Sequence, residues 1–355
     1  MNRRSFLRSA AAIGAAAGLA PYVSAGRGAI DRQAGAGGKI VTVKGPVSPD
    51  ALGFTLPHEH VLVDFIGAEK ANPDRYNRDD VMRAVLPYLK QVKDLGCRTI
   101  FECTPAYLGR DVRLLERLSS LSGLTLVTNT GYYGAAKDIA VPRHAFEESA
   151  EQLADRWTRE WDGGIDGTAI RPGFIKTGVD VAPLSAIDAK LVRAAARTHL
   201  RTGLTIASHT GGGIAALEQL EIMKEEGVAG GAWIWVHAQT EKDTEVHARA
   251  AAQGAWLEFD GIGPESVEQH VRFVLNMKQH GVLDRVMVSH DAGWYRVGEP
   301  GGGAFRAFDT VFTKFLPAVK QAGLTDTEIR QITVINPARA FIVGIRKIGA
   351  RELED

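Results

Sequence analysis

Apolar residues along this chain fall into short dense runs, and each run is followed by a longer stretch with helical spacing. The runs cover residues 56–64, 99–104, 124–130, 170–177, 204–209, 233–237, 256–260 and 286–291. Several are apolar at nearly every position rather than at alternate ones. That predicts strands buried on both faces, as in a parallel sheet. Residues 79–95, 110–120, 145–161, 187–202, 213–226, 241–253, 264–280 and 307–322 instead place apolar residues three and four apart, the pattern of a helix with one buried face. Strand–helix units repeated around eight strands predict a closed (β/α)8 TIM barrel. An open doubly wound sheet is the competing arrangement. It would carry a glycine-rich fingerprint after its first strand, where this chain has His58-Glu59-His60. Residues 39–47 alternate and stop short of Pro49, which predicts a short β-hairpin ahead of the barrel. With no internal repeat or linker, residues 39–355 read as one domain.

Composition narrows the class. The 355 residues are 45% hydrophobic and 24% charged, as in a globular protein. Lys plus Arg and Asp plus Glu are each 42, so no bulk positive charge argues for nucleic acid as a partner. Cys97 and Cys103 flank one predicted strand and read as core thiols, and two cysteines exclude a disulfide-dense scaffold. The N-terminus departs from this ordinary pattern. Asn2-Arg3-Arg4-Ser5-Phe6-Leu7-Arg8 precedes a mildly apolar stretch at 10–20 and a small-residue cleavage site at Val23-Ser24-Ala25. That order predicts a signal peptide over residues 1–25, and the paired arginines resemble a Tat signal. The Tat machinery is then a partner, and the mature chain is periplasmic or exported. Residues 26–38, rich in Gly and Ala, read as a flexible leader. Past the signal, no apolar run is long enough to span a membrane.

In a barrel of this kind chemistry sits at the C-terminal ends of the strands. Those ends carry His58 and His60, then Lys176, His209, His237 and Asp291. Two residues apart on a strand, His58 and His60 point to the same side. From 176 to 209 is 33 residues, from 209 to 237 is 28, and from 237 to 291 is 54. These intervals match one, one and two strand–helix units, so each residue reaches the same rim. Histidine and carboxylate ligands suit zinc and its neighbours. Four histidines, an Asp and a Lys are too many for one tetrahedral ion and fit a two-metal site. A protonated Lys176 has no lone pair to offer. It can serve only when deprotonated or converted by CO2 to a carbamate; a structural lysine paired with an acid is the alternative. His290 should face away from Asp291. The other histidines, His144, His199, His247, His270 and His280, fall in predicted helices or, for His144, just ahead of one, and read as surface or packing residues.

Several stretches together resemble the phosphotriesterase family of the amidohydrolase superfamily, which includes the phosphotriesterase-like lactonases. They are Leu56-Pro57-His58-Glu59-His60-Val61, Gly109-Arg110-Asp111-Val112, Phe174-Ile175-Lys176, Ser208-His209-Thr210, Val236-His237, Ser289-His290-Asp291 and Thr333-Val334-Ile335-Asn336-Pro337-Ala338-Arg339. The resemblance implies two divalent ions, zinc first and Mn, Co or Fe as alternatives. His58, His60 and Asp291 would hold the buried ion, His209 and His237 the exposed one, and carbamylated Lys176 would bridge them. A bridging hydroxide would attack a carbonyl or phosphoryl centre, with Asp291 moving the proton to the leaving group. The resemblance also leaves room for a homodimer.

Departures from the family bear on the substrate, a small-molecule ester, lactone or phosphotriester. Phosphotriesterases place His, and many of the lactonases Arg, after the Asp that ends strand seven; here Asp260 is followed by Gly261. Tyr133 aligns with a pocket aromatic that is Trp in phosphotriesterases and Tyr in lactonases. A phenol can hydrogen-bond a lactone oxygen, which favours a lactone or carboxylic ester over an organophosphate triester. After His237, Gln239 and Thr240 displace the acidic residues often found there. The loop after Asp291 brings Trp294 and Tyr295, with Gly301-Gly302-Gly303 beyond, and reads as a pocket wall or lid, or as a packed surface loop. The glycines at 211–213 and 301–303 lack the Lys and Ser/Thr of a nucleotide loop. Two other classes stand beside the hydrolase. A periplasmic binding protein would keep metals without turnover, and a metal-free barrel enzyme would resist chelators.

Overall fold

The computed structural model describes residues 38–349. The signal expected over 1–25 and the leader expected over 26–38 lie outside the described residues, apart from Gly38. A hairpin of β1 (Ile40–Thr42) and β2 (Gly45–Val47) comes first, as the alternation predicts. The barrel strands follow as β3 (Thr55–Val63), β4 (Thr99–Glu102), β5 (Thr125–Val127) continued by β6 (Asn129–Thr130), and β7 (Phe174–Val179). Then come β8 (Ile206–Thr210), β9 (Trp233–Val236), β10 (Trp256–Phe259), and β11 (Val286–Val288) followed by β12 (Gly293–Arg296). Every pairing among β3–β12 is parallel. Hydrogen bonding runs in two arcs, β11-β10-β9-β8-β7-β6 and β12-β3-β4-β5. The arcs join through the chain itself, at Thr128 and at residues 289–292, so the eight strand positions close into the expected (β/α)8 barrel.

Helices cover the outside: α1 (Arg78–Asp94), α2 (Val112–Ser122), α3 (Arg143–Glu147), α4 (Ala150–Gly163), α5 (Ala186–Thr202), α6 (Gly213–Glu225), α7 (Thr244–Ala252) and α8 (Val267–Gln279). The helix predicted over 145–161 is two, because Ser149 caps α4 with a reciprocal Ser149–Gln152 capping box and so breaks the run. The stretch predicted over 307–322 opens with a π-helical turn at Val311–Phe315 before Leu316–Gln321. The strand predicted to 291 stops at Val288, and Asp291 beyond it adopts φ +52°. Apolar side chains of the strands' outer faces and the helices' inner faces form one buried layer. A second cluster fills the barrel's interior at its lower end, where Phe341 stacks on Phe101 at 3.8 Å between ring centres and meets Phe174 edge-on. The barrel is therefore plugged below, and its inward side chains can become polar only towards the C-terminal mouth.

Both cysteines are free and buried, as expected. Among the described residues, no helix is long and apolar enough to cross a membrane.

Candidate metal centre

Inward positions climb from apolar to polar along each strand. On β7, Phe174 belongs to the lower plug and Lys176 lies two residues above it; on β8, Ala207 is followed by His209. Register places Lys176 beside Ala207 and Gly178 beside His209. The six residues expected at the rim come from β3, β7, β8 and the turns after β9 and β11. His58 and His60 sit with their Nε2 atoms 3.2 Å apart. Asp291 Oδ1 lies 3.1 Å from His60 Nε2 and 3.5 Å from His58 Nε2. The rings of His58 and His237 are 5.0 Å apart and those of His209 and His237 are 4.3 Å apart.

Hydrogen bonds fix which nitrogen each ring presents. Asp260, fully buried, takes His58 Nδ1 on Oδ2 at 2.9 Å and His237 Nδ1 on Oδ1 at 2.6 Å. A carboxylate accepts, so both Nδ1 atoms carry hydrogen and each Nε2 is turned to the mouth. His60 Nδ1 lies 2.7 Å from Thr104 Oγ1, whose own hydrogen goes to Glu102 at 2.5 Å; His60 therefore also donates through Nδ1. His209 Nδ1 is 3.2 Å from the Tyr133 phenol, and the two rings meet edge-on.

Electrostatics favour a cation at this point. Burial alone would depress His58, but the Asp260 carboxylate outweighs it and raises its pKa to about 10. Burial would raise Asp291, yet its contact with His60 and the nearby imidazoles hold it at about 2. His209, pushed well below the usual imidazole value by burial and then by His237 and Lys176, keeps its lone pair. His58, His60 and Asp291 bring one donor atom each within 4.8 Å of one another, a grouping able to hold a metal ion. Lys176 Nζ is buried with no hydrogen-bond partner, so the structural reading with a paired acid does not describe it. A buried amine whose charge acts on His58, His60 and His209 fits conversion to an acidic ligand.

The other expected residues divide. Trp294, at φ +72°, sets its ring edge-on to His60 at 5.5 Å and also meets Phe65. Of the two readings open for this loop, Tyr295 takes the packed one: it is buried in the helix–sheet layer, where its ring leaves no room for a side chain at Gly302. Gly261 lies beside Asp260, and a Cβ there would be 2.8 Å from Gln239 Nε2. His290 turns away from the mouth, as its position predicts, and binds Glu59 at 2.6 Å. Sequence reasoning overlooked Asp260 as the hub of two histidines, and the Thr104–Glu102 and Glu59 supports. Asp260 stood at a strand end like the ligands, and that position was its signal. Thr104 and Glu102 gave none, since buried hydroxyls and carboxyls are legible only once neighbouring strands are aligned.

An eight-stranded α/β barrel that gathers histidines and a carboxylate at its C-terminal mouth defines a metal-dependent hydrolase. The chain belongs to the phosphotriesterase family, whose model matches residues 38–341. It is 29% identical over 299 residues to the phosphotriesterase homology protein of Escherichia coli, covering 83% of this chain and 100% of that one. It is 28% identical over 309 residues to an aryldialkylphosphatase of Saccharolobus solfataricus, covering 84% and 98%. The crystal structure of a lactonase from Listeria monocytogenes superimposes with a TM-score of 0.74 at 25% identity, covering 86% of this chain and 99% of that one.

Proposed function

We propose that this protein is a binuclear metal-dependent hydrolase of lactones or carboxylic esters, with phosphotriester hydrolysis as the second reading. The observation that carries it is the gathering of His58, His60, His209, His237 and Asp291 at one mouth, with a buried, unpartnered Lys176 whose charge acts on His58, His60 and His209. His58, His60 and Asp291 would hold one ion, His209 and His237 the other, and Lys176, carbamylated by CO2, would join them. Zinc suits this donor set best, and Mn, Co or Fe are compatible with it. Two such ions lower the pKa of a shared water and polarise the scissile oxygen.

The chain's own residues do the rest. Asp291 is partly open and lies at the mouth. It receives the proton given up in the attack and returns it to the leaving oxygen. When His209 donates through Nδ1 to the phenolic oxygen, Tyr133 keeps its own hydrogen free for a substrate oxygen. Burial raises the phenol well above its usual range, so that hydrogen stays in place at neutral pH. Trp294 offers an apolar wall beside His60. These features favour a carbonyl substrate, and the lactonase among the structural relatives agrees with that choice. The aryldialkylphosphatase supports the second reading. From the N-terminal sequence, we infer export through the Tat route.

The test is a hydrolysis panel on metal-loaded protein: γ- and δ-lactones, aryl esters and an aryl dialkyl phosphate, each with a chelated control. Chelator-sensitive lactone turnover above the phosphotriester rate is expected. The reverse order would establish the second reading, and chelator-resistant turnover would end both.

A further inference from the structure

Asp260 holds histidines of both proposed ions, and its carboxylate is fully occupied. Oδ2 accepts from His58 Nδ1 and from the His237 backbone N–H at 3.0 Å. Oδ1 accepts from His237 Nδ1 and from Gln239 Nε2 at 2.8 Å. Four donors match the four lone-pair sites of a carboxylate. Gln239 also closes the circuit on the main chain, since the Asp260 N–H donates to Gln239 Oε1 at 3.2 Å. The amide orientation is fixed by chemistry, because the oxygen must face the N–H and the NH2 must face the carboxylate.

This clamp needs room that a side chain at 261 would take. A Cβ on Gly261 would stand 2.8 Å from Gln239 Nε2 and 3.3 Å from both Gln239 Cδ and His270 Nε2. It could not turn away from the glutamine without meeting His270. That ring is held in place, its Nδ1 donating to the Ser266 carbonyl at 2.8 Å from α8. The side chain at 239 and any side chain at 261 therefore compete for one place beside Asp260.

We propose that Gln239 is a positioning residue for the metal centre, locking Asp260 so that His58 and His237 present their Nε2 atoms together, and that Gly261 is glycine because the clamp requires it. The inference rests on the binuclear reading above. Gln239 replaces, from the neighbouring strand end, whatever support a side chain at 261 would have given. It also accounts for the two departures in the sequence, Gln239 and Gly261, as one paired change.

Metal retention tests this in the full chain. Zinc content and zinc release are measured against graded chelator for the parent, Gln239→Met, Gly261→His, and the double variant Gln239→Ala/Gly261→His, with kcat and KM alongside. Methionine fills the glutamine's space without its hydrogen bonds, so a role in packing alone would leave Gln239→Met like the parent. Loss of a group that orients ligands costs about 10–100-fold in metal affinity. That loss is expected for Gln239→Met and for Gly261→His, with kcat falling more than KM rises. In the double variant the losses should not multiply, and retention should recover relative to Gly261→His. Parent-like retention by Gln239→Met, or losses that multiply in the double variant, would overturn the proposal. If the parent itself takes up no zinc, the binuclear reading fails instead. Unfolding of the chelated variants at the parent's midpoint excludes misfolding as the cause, and retention is then compared between Gln239→Met and the parent alone if Gly261→His does not fold.

Discussion

At the scale of single residues, the site depends on a turn that does not come free. Asp291 takes φ +52° without being glycine, a conformation that costs of order 1–3 kcal/mol unless its surroundings impose it. Glu59 imposes it. Lying between His58 and His60, it points to the opposite side of β3, and its buried carboxylate accepts from four donors around Asp291. These are Ser289 Oγ at 2.8 Å, the His290 N–H at 3.0 Å, His290 Nδ1 at 2.6 Å and the Ala292 N–H at 2.8 Å. Glu59→Gln would turn an NH2 towards some of these donors and remove the charge from the rest. We expect a loss of about 2–3 kcal/mol in urea unfolding, the scale of a hydrogen bond to a buried charge. Turnover should fall with it, because Asp291 is released. Parent-like stability and kcat would mean that Arg306, which donates to the Asp291 carbonyl at 2.7 Å, holds the turn without help. The general-base role proposed for Asp291 has its own test. Asp291→Asn should lower kcat by orders of magnitude, and a near-normal rate with both metals retained would remove that role.

At the scale of elements, the strand order and the ligand spacing were legible because both follow period and length. Dense apolar runs mark strands buried on two faces, and equal intervals put their ends on one rim. What escaped was local. His237 leaves its strand directly in a left-handed conformation, φ +64°, while the last strand ends at Val288, ahead of Asp291 at φ +52°; each ends earlier than its hydrophobicity suggests. The Ser149–Gln152 capping box was present in the sequence but masked by the apolar spacing on either side. The C-terminal segment at residues 342–349 was illegible, since it forms no helix or strand and is defined by its partners. Its anchor is His199 on α5, which donates from Nδ1 to the Leu204 carbonyl at 2.8 Å and accepts the Arg346 N–H on Nε2 at 2.9 Å. Burial lowers His199 from 6.5 to about 4. The unfolded chain therefore binds a proton between these values that the folded chain refuses. Its contribution is complete above pH 6.5 and is lost as the pH falls towards 4, by at most about 3 kcal/mol. Unfolding of the chelated protein at pH 7.5 and pH 5 should show this slope, and His199→Gln should flatten it. An equal slope in both would place the acid sensitivity elsewhere.

At the scale of the whole molecule, the barrel's regular strand pairing is interrupted at two places, which single backbone hydrogen bonds carry across: the Gly173 N–H to the Thr128 carbonyl at 2.7 Å, the Ser289 N–H to the Phe259 carbonyl at 3.2 Å and the Asp291 N–H to the His58 carbonyl at 3.1 Å. The two arcs are joined at Thr128 and at residues 289–292. The proposed ligands straddle that division. His58 and His60 stand on the arc of β12, β3, β4 and β5, whereas Lys176 and His209 stand on the other arc and His237 follows β9. Asp291 lies in one of the junctions. A bound pair of ions would therefore tie the arcs across the mouth, while Phe341 and its partners plug the floor. Folding and metal binding are then linked. At free metal 100-fold above its dissociation constant, each site adds about 2.7 kcal/mol to stability. Chelation should lower the unfolding midpoint accordingly, and restoring zinc should recover it. Lys176→Ala should lose most of that shift, because removing the bridge separates the two ions, whereas its stability in chelator should be close to the parent's or above it, since a buried amine without a partner is costly. A parent whose midpoint ignores chelator would show that the mouth holds no ion that matters to the fold. A Lys176→Ala protein with an undiminished zinc-dependent shift would show that Lys176 does not join the two sites.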